Sequence, residues 1–354
     1  MKCAVFGLPY SGKSTLFAAV GGPRPAPGGI GQEVWATVRV PDPRIDFLTE
    51  RYQPKKTTYA TLELMDLPGF SLDDARGRDA LAKSLPSMRP CDVLVAVVRD
   101  FQSADVPSYR GRVDPQADLA ELWEELVYAD LLTTSNRLDR LAVSMKKPTG
   151  SHEHDKREVA LLESCRELLE ASKPLSALPQ AHEAADRLSS FGFLTLKPLV
   201  VVFNVDEERC SQPPTQVPTH ARQAVCLCAE TEAQIAELDP ADRPEFLADL
   251  GVTEAAADRL IHTCYRSAET ISFFTVGPDE VRAWPVRKGA TAHEAAGKIH
   301  SDLARGFIRA ETVAYDVLHE LGDMKAAKSA GQVRQEGKSY IVQDGDILHI
   351  KFNV

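Results

Sequence analysis

Residues 7–14, GLPYSGKS, match the pattern G-x-x-x-x-G-K-[ST] and so constrain the fold more than any other stretch of the chain. The run follows the apolar KCAVF and precedes a helical stretch beginning near Lys13, which is the strand–loop–helix context this motif requires. A loop of this kind belongs to a doubly wound α/β sheet, whose ligand sites lie at the carboxyl ends of parallel strands. Gly7 and Gly12 let the chain wrap phosphate groups, and the amides from Ser11 to Thr15 face their oxygens at a helix N-terminus. Gly7, Pro9, Ser11, Gly12, Lys13, Ser14 and Thr15 are therefore the phosphate-binding candidates. Lys13 reaches the β- and γ-phosphates and stabilises transferred charge, and the Ser14 hydroxyl suits Mg²⁺.

The other strands follow from continuous or alternating apolar runs. ATLELMDLPG ends a strand on Asp66, CDVLVAVVRDF and KPLVVVFNVDE are buried on both faces, and QAVCLCAE is the last strand of the sheet. Asp66 can hold Mg²⁺ through water, and Gly69 of D-x-x-G can offer its amide to the γ-phosphate. The next residue is Phe70, at the position where small GTPases carry a water-orienting Gln. A phenyl ring neither orients nor deprotonates water, so turnover is expected to be slow and the water-positioning group is not evident.

Far more chain separates Asp66 from Asn204 than one strand–helix–strand unit needs. Residues 116–145 carry Leu119, Leu122, Leu126, Ala129, Leu132 and Leu138 at helical spacing, and DKREVALLESCRELLEAS forms a second such helix after Pro148 and Gly150. These predict an antiparallel helical hairpin. His152 and His154 in its turn have no partner ligand in the sequence and read as solvated. After residue 272, several short strands and one helix N-capped by Thr291 predict a small α+β domain. The expected organisation is a first part of the nucleotide domain over 1–110, the hairpin over 111–190, the second part over 191–271 and the terminal domain over 272–354.

A net charge of −10 argues against a generally nucleic-acid-coating surface. Seven scattered cysteines in a chain with ample core predict reduced thiols, and no apolar run approaches membrane-spanning length. A soluble cytoplasmic protein is expected.

The segments GLPYSGKSTLF, VPDPRIDFL, MDLPGF, TLKPLVVVFNVDEE and CAETEAQIAEL occur in the order seen in the YchF/Obg-like ATPase family. EVRAWPVRKGATAHEAAGKIHSDLARGFIRAETVAYD and GKSYIVQDGDILHIKFNV resemble that family's TGS domain, a ubiquitin-like β-grasp module. The resemblance covers nearly the whole chain. It implies a P-loop NTPase core, an inserted hairpin, a TGS domain and association with ribosomes, with RNA contact through the TGS domain and hairpin left open. It also implies an apolar residue after D-x-x-G, as Phe70 is, and N-x-x-E in place of N-K-x-D, with ATP hydrolysed better than GTP.

The residues at the base site bear on that last point. A guanine site uses an Asp carboxylate to accept from N1–H and the 2-amino group, and Glu207 is one methylene too long for that geometry. An Asn amide can pair with adenine N6 and N7, so Asn204 is the expected base reader. Val205 replaces the aliphatic stem of the usual Lys, and Leu227, Cys228 and Ala229 fall in the last base-contacting loop.

Two departures from the family pattern stand out. Tyr10 replaces an Asn that helps bind potassium in related NTPases, which puts K⁺ dependence in doubt. The switch Thr expected near Ile30 is missing from GGPRPAPGGIGQEV, and Thr37 is a weak substitute. Three readings remain open: a slow Mg²⁺-dependent ATPase, a nucleotide-binding adaptor without productive hydrolysis, and a guanine-specific GTPase disfavoured by Val205 and Glu207.

Overall fold

In the computed structural model, residues 1–22, 33–146, 152–178, 187–214, 216–239 and 241–353 are described. The Pro/Gly-rich stretch around Ile30 and the hairpin turn with Pro148 and Gly150 lie outside them. The strands are β1 (Lys2–Phe6), β2 (Val34–Arg39), β3 (Lys56–Thr58), β4 (Thr61–Asp66), β5 (Val93–Asp100), β6 (Leu199–Val205), β7 (Gln223–Leu227), β8 (Thr270–Thr275), β9 (Glu280–Arg287), β10 (Phe307–Ala314), β11 (Arg334–Glu336) and β12 (Asp346–Phe352).

Two strands set the frame of the first sheet. β5 and β6 are apolar on both faces and buried along their length save at Asp100, so both faces must be covered. They pair in parallel, from Leu94 opposite Leu199 to Asp100 opposite Val205. β1 lies parallel between β4 and β5, and β7 pairs parallel with β6, in the order β2-β4-β1-β5-β6-β7. The chain leaves β1 for one side of the sheet and later crosses to the other. The carboxyl end of β1 is thus the switch point where such sheets hold ligands.

The helices of this region are α1 (Lys13–Gly21), α2 (Pro43–Tyr52), α3 (Ala75–Met88), α4 (Pro115–Ser144), α5 (His152–Glu170), α6 (Ala229–Glu237), α7 (Arg243–Asp249) and α8 (Ala256–Ser267). Asp114 caps α4 by accepting from the Ala117 amide, with Pro115 at the first helical position. Leu119, Leu122, Leu126, Ala129 and Leu141 of α4 are buried. Arg137 pairs with Glu158, and Trp123 Nε1 donates to the Ser172 carbonyl at 3.0 Å. As one number falls the other rises, which fixes α4 and α5 antiparallel. Asp130, fully buried, ties α4 to the approach to β6 by accepting from Leu194 N (3.0 Å), Thr195 N (2.7 Å) and Thr195 Oγ1 (2.8 Å). Burial pushes its carboxyl pKa up, against the pull of these hydrogen bonds and of Arg89.

The described residues divide into two compact units, 1–36 with 63–260, and 37–62 with 261–354. This differs from the boundaries read in the sequence, which kept 37–62 in the nucleotide domain and gave 111–190 a domain of its own. The physical reason is hydrogen bonding. β3 pairs parallel with β9, from Lys56 opposite Glu280 to Thr58 opposite Arg282. Arg44 on α2 bonds Asp344, Arg51 donates to the Gly322 carbonyl, and Tyr52 OH accepts from Met324 N. Short strands and single ion pairs of this kind leave no periodic trace in the sequence. The helical hairpin clusters with the first unit.

In the second unit the sheet order is β11-β10-β12-β8-β9-β3. A ninth helix, α9 (Ala292–Ile299), begins in a capping box: Thr291 accepts from the Glu294 amide while Glu294 accepts from the Thr291 amide. Its Ala292, Ala295 and Ala296 share a core with Phe273, Val286, Phe307 and Leu348. The small residues let the helix lie close on the sheet, giving a β-grasp arrangement. Among the described residues, no helix is long and apolar enough to cross a membrane.

Asp130→Ala would leave two buried amides without acceptors. We expect it to lower stability by about 2–4 kcal/mol in urea unfolding followed by circular dichroism. A loss under about 1 kcal/mol would show that the 194–195 turn is held by packing alone.

Candidate functional site

The loop between β1 and α1 is shaped by two glycines that no other residue can replace. A Cβ on Gly7 would sit 2.4 Å from the Val97 carbonyl oxygen, and Gly12 adopts φ +82°, where its Cβ would meet Asn204 Nδ2 at 2.1 Å. Gly12 caps α1 without any side-chain hydrogen bond, so the N-terminus of the helix presents its dipole to an anion. The buried Ser11 hydroxyl has no hydrogen-bond partner among the described residues. Thr15 is exposed on α1 and Pro9 is half-buried beside the loop. Tyr10 also takes a left-handed conformation, φ 64°, with its ring exposed. Asn adopts that conformation more readily than Tyr, so the departure at Tyr10 is borne at some strain.

Lys13 and Asp66 meet across the ends of α1 and β4. Both are buried, and Lys13 Nζ donates to Asp66 Oδ1 and, at 2.6 Å, to the Leu67 carbonyl. Ser14 Oγ lies 3.4 Å from Asp66 Oδ2. A hydroxyl and a carboxylate converging beside a helix N-terminus form a hard-oxygen donor set, which fits Mg²⁺ with its remaining positions filled by water and phosphate. The orphaned Ser11 hydroxyl and the helix N-terminus fit the phosphates themselves. Gly69 is exposed, with open space where a side chain would stand.

Phe70 is buried in the core cluster with Leu8, Leu67 and Leu72. Its ring anchors the D-x-x-G segment and faces no water. Thr37 stands exposed on β2.

The sequence reading missed Tyr109 and Arg110, which hold the residues after Phe70. Tyr109 OH accepts from the Leu72 amide at 3.0 Å, and Arg110 bonds both Asp73 and Glu121. The Arg110 hydrogen bond pulls the exposed Asp73 carboxyl below its ordinary pKa. Arg110 and Gly111 are consecutive left-handed residues, φ 54° and 69°. Pro107, Ser108 and Gly111 mark a turn there, but nothing in the sequence says which residues its side chains reach.

At the expected base site, one residue is tied into the loops around it. Asn204 is buried; its Nδ2 donates to the Ser11 carbonyl at 3.0 Å and its Oδ1 accepts from the Ala229 amide at 2.9 Å. Each of these two atoms has capacity for a second hydrogen bond, since the amide nitrogen carries two hydrogens and the oxygen two lone pairs. The amide thus joins the phosphate loop to the β7–α6 loop, a positioning contact beside the base-reading role expected for it. Val205 is buried in the core with Phe203 and Val201. Glu207 is exposed on a single 3₁₀ turn, Glu207–Arg209. Leu227 and Ala229 are buried, and Cys228 is half-buried at the start of α6.

Asn204→Ala would strip a partner from both the Ser11 carbonyl and the Ala229 amide. ATP and GTP affinity, measured by calorimetry, should fall together by about tenfold or more, because the loop loses its anchor. Were ATP affinity alone to fall, the base contact would outweigh the positioning one.

Comparison with known proteins agrees with this architecture. A family model described as 50S ribosome-binding GTPase matches residues 2–130, and the YchF-GTPase C-terminal model, described as a protein of unknown function, matches residues 270–353. The chain is 38% identical over 363 residues to the ribosome-binding ATPase YchF of Escherichia coli O157:H7, covering 100% of this chain and 99% of the relative. It is 37% identical over 367 residues to the protein of that name in Bacillus subtilis, covering both chains fully. To the Obg-like ATPase 1 of Oryza sativa subsp. japonica it is 34% identical over 373 residues, covering 100% of this chain and 92% of the relative. The solved structure of the Schizosaccharomyces pombe YchF GTPase superposes with a TM-score of 0.85 at 28% identity, covering 99% of this chain and 97% of that one. With the phosphate loop, the helical insert and the β-grasp unit all in place, the chain belongs to the YchF/Obg-like family of P-loop ATPases.

Proposed function

We propose that the protein is a slow Mg²⁺-dependent ATPase, with ATP preferred over GTP, whose nucleotide state tunes its binding to the ribosome. The observation that carries the enzyme reading is the convergence of Lys13, Ser14 and Asp66 at the N-terminus of α1. Family membership supports the hydrolase and ribosome assignments, since the bacterial relatives are named ribosome-binding ATPases.

On this reading, the Gly7–Thr15 loop binds the β- and γ-phosphates through backbone amides, and Lys13 swings from Asp66 to the phosphate oxygens. Ser14 and Asp66 hold Mg²⁺, which when bound supplies charge stabilisation to the transferred phosphoryl group. Gly69 offers its amide to the γ-phosphate. Lys13 stabilises the charge that develops on the phosphoryl oxygens, an effect large in a site that excludes water. Phe70 supplies no hydrogen bond to the attacking water, so intrinsic turnover is slow.

The ATP preference rests on Glu207. Guanine presents two adjacent donors that need one rigidly held carboxylate, and an exposed glutamate on a one-turn helix is not so held. Adenine presents no such pair and loses nothing. A second reading, a nucleotide-binding adaptor without productive hydrolysis, is favoured by one observation: Phe70 lies in the core, where no group at that position can meet water.

Single-turnover hydrolysis and binding of ATP and GTP, with and without ribosomes, separate these readings. Lys13→Ala should reduce ATP turnover by about a hundredfold or more, the range seen when a transition-state charge partner is lost. Equal, partner-independent turnover in wild type and Lys13→Ala would leave only the adaptor. Glu207→Asp combined with Val205→Lys should raise GTP affinity relative to ATP, and GTP binding tighter than ATP by about tenfold in the wild type would overturn the base assignment.

A further inference from the structure

Away from the phosphate site, a cavity of about 720 Å³ opens between α4, α5 and the segment 187–191. Four arginines line it: Arg137 and Arg140 from α4, Arg157 from α5, and Arg187. Arg137 is satisfied, donating through Nε and Nη2 to the two carboxylate oxygens of Glu158 at 2.6 and 2.8 Å. Among the described residues, Arg140, Arg157 and Arg187 have no carboxylate within ion-pair distance, and all three are exposed. Among the described residues, three guanidiniums without a carboxylate partner thus line one cavity from three separate segments, an arrangement that an anion bound between them would stabilise.

The remaining walls are apolar. Leu161, the buried Leu188 and Phe191 line the same cavity, and Phe191 stacks on Phe193 with ring centroids 5.2 Å apart, which holds its ring in place. The space exceeds what a single phosphate or sulfate fills and lies within the range of small-molecule sites, roughly 300–1,000 Å³. Guanidinium forks match phosphate oxygens in pairs, and three of them balance the two to three negative charges of a diphosphate. An aromatic face beside arginines takes a planar ring.

We propose that this cavity is a second ligand site, separate from the phosphate loop, for a free nucleoside diphosphate or a molecule of the same chemistry. The diphosphate is held by Arg140, Arg157 and Arg187, and the ring lies against Phe191. Walls that combine apolar side chains with convergent cations favour such a compact ligand over an RNA strand, whose backbone asks for cations along an open groove. His154 also lines the cavity, and with Asp155 and Glu158 it forms a cluster of ligand-type groups. Glu158 in that cluster is already taken by Arg137, so the cluster is not read as a metal site.

Calorimetric titration of the full chain with ADP tests this. Wild type should take up two ADP per chain at low salt, and Arg140→Glu with Arg187→Glu should take up one. In Lys13→Ala, where the phosphate loop is impaired, the surviving ADP binding should weaken by about tenfold or more on adding the two charge reversals. Inorganic pyrophosphate should compete for this binding. One ADP per wild-type chain, or surviving binding indifferent to both reversals, would overturn the proposal. So would a decaribonucleotide that binds in an Arg140- and Arg187-dependent manner while ADP does not. The wild-type stoichiometry keeps the test decisive should Lys13→Ala fail to fold.

Discussion

The phosphate site depends on one buried amide. Asn204 is the last residue but one of β6, and its two polar atoms reach the Ser11 carbonyl in the loop after β1 and the Ala229 amide at the start of α6. Three strand ends that are remote in sequence are thereby held in one register. Orphaning either partner in this buried setting costs on the order of 1–3 kcal/mol, so the loop has no cheap alternative conformation. Gly12 sits so close beneath the amide that a Cβ there would collide with it. Loop shape and amide position each require the other. That mutual requirement ties the shape of the phosphate loop to the Asn204 amide.

A second constraint is electrostatic. Lys13 and Asp66 are both buried, and removing the partner of either would leave an uncompensated charge. In the free protein each neutralises the other. On the proposed function, nucleotide phosphates would give Lys13 a new partner and a divalent cation would give Asp66 one, so the two ligands would bind in a coupled way through this pair.

Much of this was legible in the sequence, for identifiable reasons. The phosphate loop is a local motif with fixed spacing. β5 and β6 are continuous apolar runs, and Thr291 with Glu294 is a local capping box. What stayed hidden was non-local. That residues 37–62 join the C-terminal unit depends on three residues of β3 bonding to β9 and on Arg44 and Arg51 finding partners nearly three hundred positions away. Asn204 was legible at the strand end, but its bonds to Ser11 and Ala229 were not, because residue type specifies what an amide can bond and not which neighbours reach it. Tyr109 acts through a single hydroxyl from an irregular loop, where no periodicity exists to read.

The Tyr109 and Arg110 contacts also bear on why Phe70 is where it is. After Gly69, the chain is fixed from below by the Phe70 ring in the core and from the side by Tyr109 OH on the Leu72 amide. Arg110 adds an ion pair to Asp73 and continues to Glu121 on α4. A residue that must swing toward a γ-phosphate to orient water cannot also be a core anchor. The chain has taken the anchor, which leaves Gly69 as the one part of D-x-x-G with open space around it. The Phe70–Asp73 segment that follows Gly69 is tied by Tyr109 and Arg110 to the start of α4, so the chain next to the phosphate loop and the first helix of the hairpin share one set of contacts.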